Sequence, residues 1–174
     1  MAKPKETVLD PEQSYRTAMQ TLIADRFAAL WRAAPVALAG DDPEGVHDVR
    51  VASRRLRAAM DVAGGAFPTD WFAPLHQAAK EITGALGGVR DRDVLLEYFA
   101  AAREATGGDA DAAAALDRLT ARVERERDGA RTEMIAFFAD LDARGVKTEA
   151  TRRFGTAVRG TSTKPTAKEQ EATS

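Results

Sequence analysis

The chain contains no cysteine. Disulfide frameworks, thiolate metal sites and cysteine nucleophiles are therefore excluded. Histidine is almost as scarce, with two in 174 residues, which argues against a transition-metal site. Aromatic residues make up 6% of the chain and isoleucine occurs three times, too few for a β-sandwich core. No run approaches the roughly 20 apolar residues of a membrane-spanning helix. Residues 1–9 (MAKPKETVL) have no apolar core of signal-peptide length, so the expectation is a soluble cytoplasmic protein with no membrane partner. No excess of one charge exists either. Twenty-five basic residues face 27 acidic ones, a net charge of −2, so any anion site must be a local concentration of cations.

What is abundant is alanine, 36 residues, the strongest helix former. Apolar positions recur at helical spacing, and no segment sustains period-two alternation. The reading is all-α, an antiparallel bundle of four to six helices. Asp10, Pro11 and Gln13 read as the start of a first helix running to about Ala33, with Tyr15 and Trp31 on its apolar side. Further helices are expected over about Glu44–Ala63, Thr69–Leu86, Val89–Ala105, Asp109–Leu141 and Val146–Val158. Gly64-Gly65, Gly87-Gly88 and Gly107-Gly108 punctuate them. Val94, Leu95, Tyr98 and Phe99 are the apolar residues of the fourth. Residues 1–9 read as an extension, 10–159 as the bundle and 160–174 as a polar, disordered tail.

The second helix carries the most information. From Val49 to Met60 it has four arginines and no acid. At about 100° per residue His47, Arg50, Arg54 and Arg57 share one stripe. Val49, Ala52, Leu56, Met60 and Ala63 form the opposite, buried stripe. Arg55 lies off the basic stripe, and Asp61 is placed to pair with Arg57. Stacked like charges repel by a few tenths of a kcal/mol, so the stripe is either an anion site or a plain solvated face. Leu86-Gly-Gly-Val-Arg-Asp-Arg-Asp-Val94 is the second informative segment. Asp91 and Asp93 fit two readings there: acids in the first turn of a helix, or acceptors that orient an arginine of the second helix beside Arg90.

These two segments, in this order and about thirty residues apart, resemble the first half of the CHAD family, the conserved histidine α-helical domain. The resemblance covers about Asp10 to Leu141. It implies an all-helical fold, half of a double bundle, because no second His/Arg/Lys helix follows His76. It also implies non-catalytic binding of inorganic polyphosphate, with His47, Arg50, Arg54, Arg57 and Arg90 lining a basic surface. Arg55, Asp91 and Asp93 match motif positions too. A homodimer could rebuild the family's basic channel about a two-fold axis, and association with polyphosphate granules is a further expectation. Lys80, and Arg118, Arg122 and Arg125 of the fifth helix, are candidates to extend the surface, although interspersed acids also suit an ordinary solvated face there.

The physics suits such a ligand. Arginine holds phosphate oxygens bidentately and stays charged, and affinity for a polyanion should fall steeply with salt. His47 either adds charge when protonated, strengthening binding toward about pH 6, or serves as a structural, hydrogen-bonded residue near the helix start. No cofactor is expected and no enzyme: neither a nucleophile with its base nor a phosphate-cradling glycine loop with its lysine is present. Nucleic acid is the competing polyanion, but the tyrosines and tryptophans that could stack on bases are few, and Tyr15, Trp31 and Trp71 fall on apolar stripes. An acidic protein partner is the third reading.

Overall fold

The computed structural model describes residues 7–40, 42 and 44–155. The expected tail and the first six residues of the extension lie outside them. Every regular element among the described residues is a helix: α1 Tyr15–Ala39, α2 Glu44–Val62, α3 Thr69–Ala85, α4 Gly87–Glu104, α5 Ala110–Ala143 and α6 Val146–Phe154.

Helix α1 departs most from expectation. Its cap is Ser14, whose side chain accepts from the Thr17 amide at 3.2 Å. Asp10 instead accepts from the Glu12 amide and closes a turn with Gln13. An Asp-Pro pair suits that turn as well as a helix start, and Ser14 competes successfully for the cap. Tyr15 is consequently outside the core, 56% exposed, with its hydroxyl donating to the Val62 carbonyl. The helix also runs through Pro35 to Ala39. Tertiary contacts override the missing amide there. Ala34 and Ala37 are buried, Gly40 closes the end at φ 81°, and Arg131 of α5 donates to the carbonyls of Ala37 and Leu38.

Cross-links show that α1 and α2, α2 and α3, and α4 and α5 run antiparallel. Tyr15 meets Val62 at one end of the α1–α2 pair. At the other, a side chain on buried Gly45 would stand 3.0 Å from the Ala37 nitrogen, so glycine lets these two helices close. Asp61 meets His76, Ser53 meets Thr83, and Arg50 meets Gly87 along α2 and α3. Arg103 meets Asp117 and Arg92 meets Glu126 along α4 and α5.

The shared core is built from Ile23, Leu30, Val49, Leu56, Met60, Ile82, Leu86, Met134, Leu141 and Phe154, all close to 0% exposed. Each such side chain contributes about 1.5–3 kcal/mol by leaving water. Phe154 returns the C-terminal helix onto this core by stacking with Phe27, Phe67 and Trp71. Val89 is the last residue of α4 in that core. Val94, Leu95 and Tyr98, read in the sequence as the apolar side of α4, are 46, 43 and 68% exposed.

Candidate anion-binding strip

Helix α2 is anchored by its apolar side. Val46, Val49, Leu56, Ala59 and Met60 are buried against the neighbouring helices. Ser53 joins them, fully buried, donating to the Arg50 carbonyl and lying 3.3 Å from the Thr83 hydroxyl of α3. The helix is continuous through the arginines, so its rotation fixes where they emerge. His47 and Arg50 are half-buried, and Arg54 and Arg57 are exposed.

None of His47, Arg50 and Arg54 has a hydrogen-bond or ion-pair partner among the described residues. Arg57 is paired, at 3.7 Å from Asp61 one turn on, with both side chains about half exposed. Asp61 is shared. It also lies 2.7 Å from Nε2 of His76 on α3. Several arginines elsewhere are closely neutralised. Arg144 holds the carboxyl of Glu81 below the usual carboxylate range, helped by Gln77. Arg152 and Arg153 hold that of Glu149 down to about 2. The α2 stripe lacks such carboxylates.

Arg50 is positioned by the junction between α3 and α4. Leu86 is helical there, at φ −79° and ψ −18°. Its amide donates to the Ile82 carbonyl, and its own carbonyl accepts from the Arg90 amide. Gly87-Gly88 therefore permits close approach and makes no tight turn. A side chain on Gly87 would stand 3.6 Å from Nη1 of Arg50, and one on Gly88 would stand 3.5 Å from Cβ of Ala130.

The α2–α3 register brings a second helix into the strip. Each step back along α2, from Asp61 to Ser53 to Arg50, is matched by a step forward from His76 to Thr83 on α3 and on to Gly87 at the start of α4. Lys80 then falls level with Arg57. It is exposed and has no partner among the described residues. The strip so formed runs His47, Arg50, Arg54, Arg57 along α2, flanked by Lys80.

Other candidates stand apart from it. Arg55 emerges on the α1 side, where it lines a groove of about 370 Å³ with Met19, Leu22, Arg26, Ala58, Ala59 and Val62. Arg90 donates to Glu97 at 3.1 Å, with only 18% of its side chain exposed. Asp93 is buried and its carboxylate accepts from Nε of Arg127; the arginine it holds is on α5, not α2. Asp91 is exposed. Arg122 is paired with Glu126 at 3.0 Å, whereas Arg118 and Arg125 are exposed and unpaired among the described residues. Among the described residues no group of three or more His, Asp or Glu is arranged to hold a metal ion, and no helix is long and apolar enough to cross a membrane.

Comparison with known families now bears on this geometry. The family model for the CHAD domain matches residues 21–173. The chain belongs to the CHAD family. The match reaches well past Leu141, where the resemblance read from the two motifs ends. It takes in all six elements apart from the first residues of α1. No curated protein and no solved structure matches the chain. The strip on α2 therefore lies within the CHAD match, as do Lys80 and Arg90.

Proposed function

We propose that this CHAD-family chain binds inorganic polyphosphate along the α2 strip and does not turn it over. The observation that carries the reading is that Arg50 and Arg54, one turn apart, have no carboxylate to answer them among the described residues. Two uncompensated guanidiniums so placed repel each other, and an anion lying across both removes that cost. The helix repeats its face about every 5.4 Å, so His47, Arg50, Arg54 and Arg57 offer successive contacts to one extended chain. Arg57 changes partner easily, because its exposed link to Asp61 is worth about 0–1 kcal/mol. Lys80 adds a point charge at the same level. A cytoplasmic location, including the surface of polyphosphate granules, follows from this ligand.

Phosphate contacts carry no sequence information, so a strip of this kind attracts nucleic acid too. Base stacking would have to favour the latter. The large rings Phe67, Trp71, Phe72 and Phe154 are instead packed against one another, mostly edge to face. The test is competition. Long-chain polyphosphate, at equal phosphate concentration, should displace single-stranded RNA or DNA from the protein. Retention of the nucleic acid would reverse the assignment, and failure to bind either polymer at moderate salt would point to an acidic protein partner.

A further inference from the structure

Helix α4 has two apolar sides; among the described residues it packs mainly along α5, with smaller contacts to α2 and α3. Its inner side lies along α5, where Asp93 meets Arg127 and Arg103 meets Asp117. The outer side carries Val94, Leu95, Tyr98, Ala101, Ala102 and Ala105. At about 100° per residue these six fall within an arc of about 120°. No charged residue shares that arc until Asp91 at its N-terminal edge, in a chain with 30% charged residues. A helix side that faces only water normally carries charge. The spacing, 94/95, 98, 101/102 and 105, is the alternation of threes and fours that marks a helix–helix seam.

The seam is complementary to itself. Its bulky residues, Val94, Leu95 and Tyr98, occupy the first half and its alanines the second. Antiparallel pairing about a two-fold axis at Tyr98 lays Val94 and Leu95 of one copy over Ala102 and Ala101 of the other. This is the reciprocity that an isologous contact requires. Charge agrees with size. Arg90, Glu97 and Glu104 recur every seven residues along one flank. Glu97 is already held by its own Arg90 at 3.1 Å, and the antiparallel arrangement brings Arg90 of one copy toward Glu104 of the other.

We infer that the outer face of α4 is the docking surface for a second copy of this chain, in an antiparallel α4–α4 pair centred on Tyr98. One helix seam is smaller than the roughly 800 Å² per partner of a standard interface, so the dimer is a weak one. The inference is independent of the polyphosphate reading, since none of the α2 strip takes part.

Because the chain is free of cysteine, the register can be read directly. Tyr98→Cys should form a disulfide-linked dimer under mild oxidation, because residue 98 meets its own copy. Leu95→Cys mixed with Ala101→Cys should cross-link about tenfold faster than either alone. In sedimentation equilibrium the wild type should dimerise, and Tyr98→Glu should weaken the dimer at least about tenfold. Tyr98 is 68% exposed, so that variant should keep the wild-type circular dichroism. A wild type that stays monomeric up to about 0.5 mM, or a dimer indifferent to Tyr98→Glu, would overturn the inference. So would binding of the wild type to phosphatidylcholine vesicles that Tyr98→Glu abolishes, which would assign the face to lipid.

Discussion

Asp93 and Arg127 join α4 to α5 through a carboxylate that is 6% exposed and a guanidinium nitrogen 2.5 Å away. The second carboxylate oxygen of Asp93 has no partner among the described residues. Among the described residues, Arg127 is thus the partner that compensates for the burial of this carboxylate. Arg127→Met leaves Asp93 buried and alone, and should cost about 3 kcal/mol in urea unfolding. Adding Asp93→Leu should recover most of that loss. If Arg127→Met unfolded at the wild-type urea midpoint, Asp93 would have to be solvated by some other route.

Gly40 and Arg131 make a second sensitive contact. Gly40 has φ 81°, and a Cβ there would stand 2.3 Å from the guanidinium carbon of Arg131. Gly40→Ala should cost about 1–2 kcal/mol from backbone conformation alone. It should also displace Arg131 from the carbonyls at the end of α1. Arg131→Ala should therefore destabilise the protein too, and the two changes together should lose less than their sum, as a double-mutant cycle would show.

Glu149 sets the acid response of α6. Its carboxyl is held at about 2, against an ordinary 4.5, by Arg152 and Arg153. A carboxyl depressed in the folded state stabilises above its unfolded pKa, and that stabilisation is lost as the pH falls through the folded value. The window is therefore from about 4.5 down to about 2. Arg153 lies over the Trp71 ring at 4.8 Å, so tryptophan fluorescence should report its release across that window. Glu149→Gln should remove the transition.

His47 is half-buried at the N-terminal end of the strip. As the first contact of the strip it should add to polyphosphate affinity, so His47→Ala should weaken binding severalfold at unchanged urea stability. Unchanged affinity with a destabilised His47→Ala would make the residue structural.

The helical architecture was legible because alanine content and apolar spacing agree over long segments. The ends were less so. Asp10 and Ser14 are both competent caps, and local sequence does not say which wins. Pro35 reads as a stop unless Arg131, ninety-six residues on, is known to satisfy the carbonyls beyond it. The stripe on α2 could be read because one continuous helix fixes its own angles; Arg57 does meet Asp61, and Arg55 does emerge elsewhere. The level of Lys80 depends on the α2–α3 register, and the engagement of Arg90 on the rotamer it takes toward Glu97. Neither is encoded in spacing. The outer face of α4 misled for the same reason: an apolar stripe announces burial but not the partner, and Val94, Leu95 and Tyr98 stay exposed among the described residues.

The most direct measurement is calorimetric titration with long-chain polyphosphate at two salt concentrations, on the wild type and on Arg50→Glu with Arg54→Glu. Arg54 is exposed and Arg50 half-buried with no partner among the described residues, so the double variant should keep the wild-type circular dichroism, which is checked first. The wild type should bind with an affinity that falls steeply with salt. The variant should lose at least about a hundredfold at low salt, and its log–log salt slope should shrink by roughly 1.4, about 0.7 for each lost phosphate contact. Equal affinity and equal slope in the two proteins would show that polyphosphate does not lie on this strip.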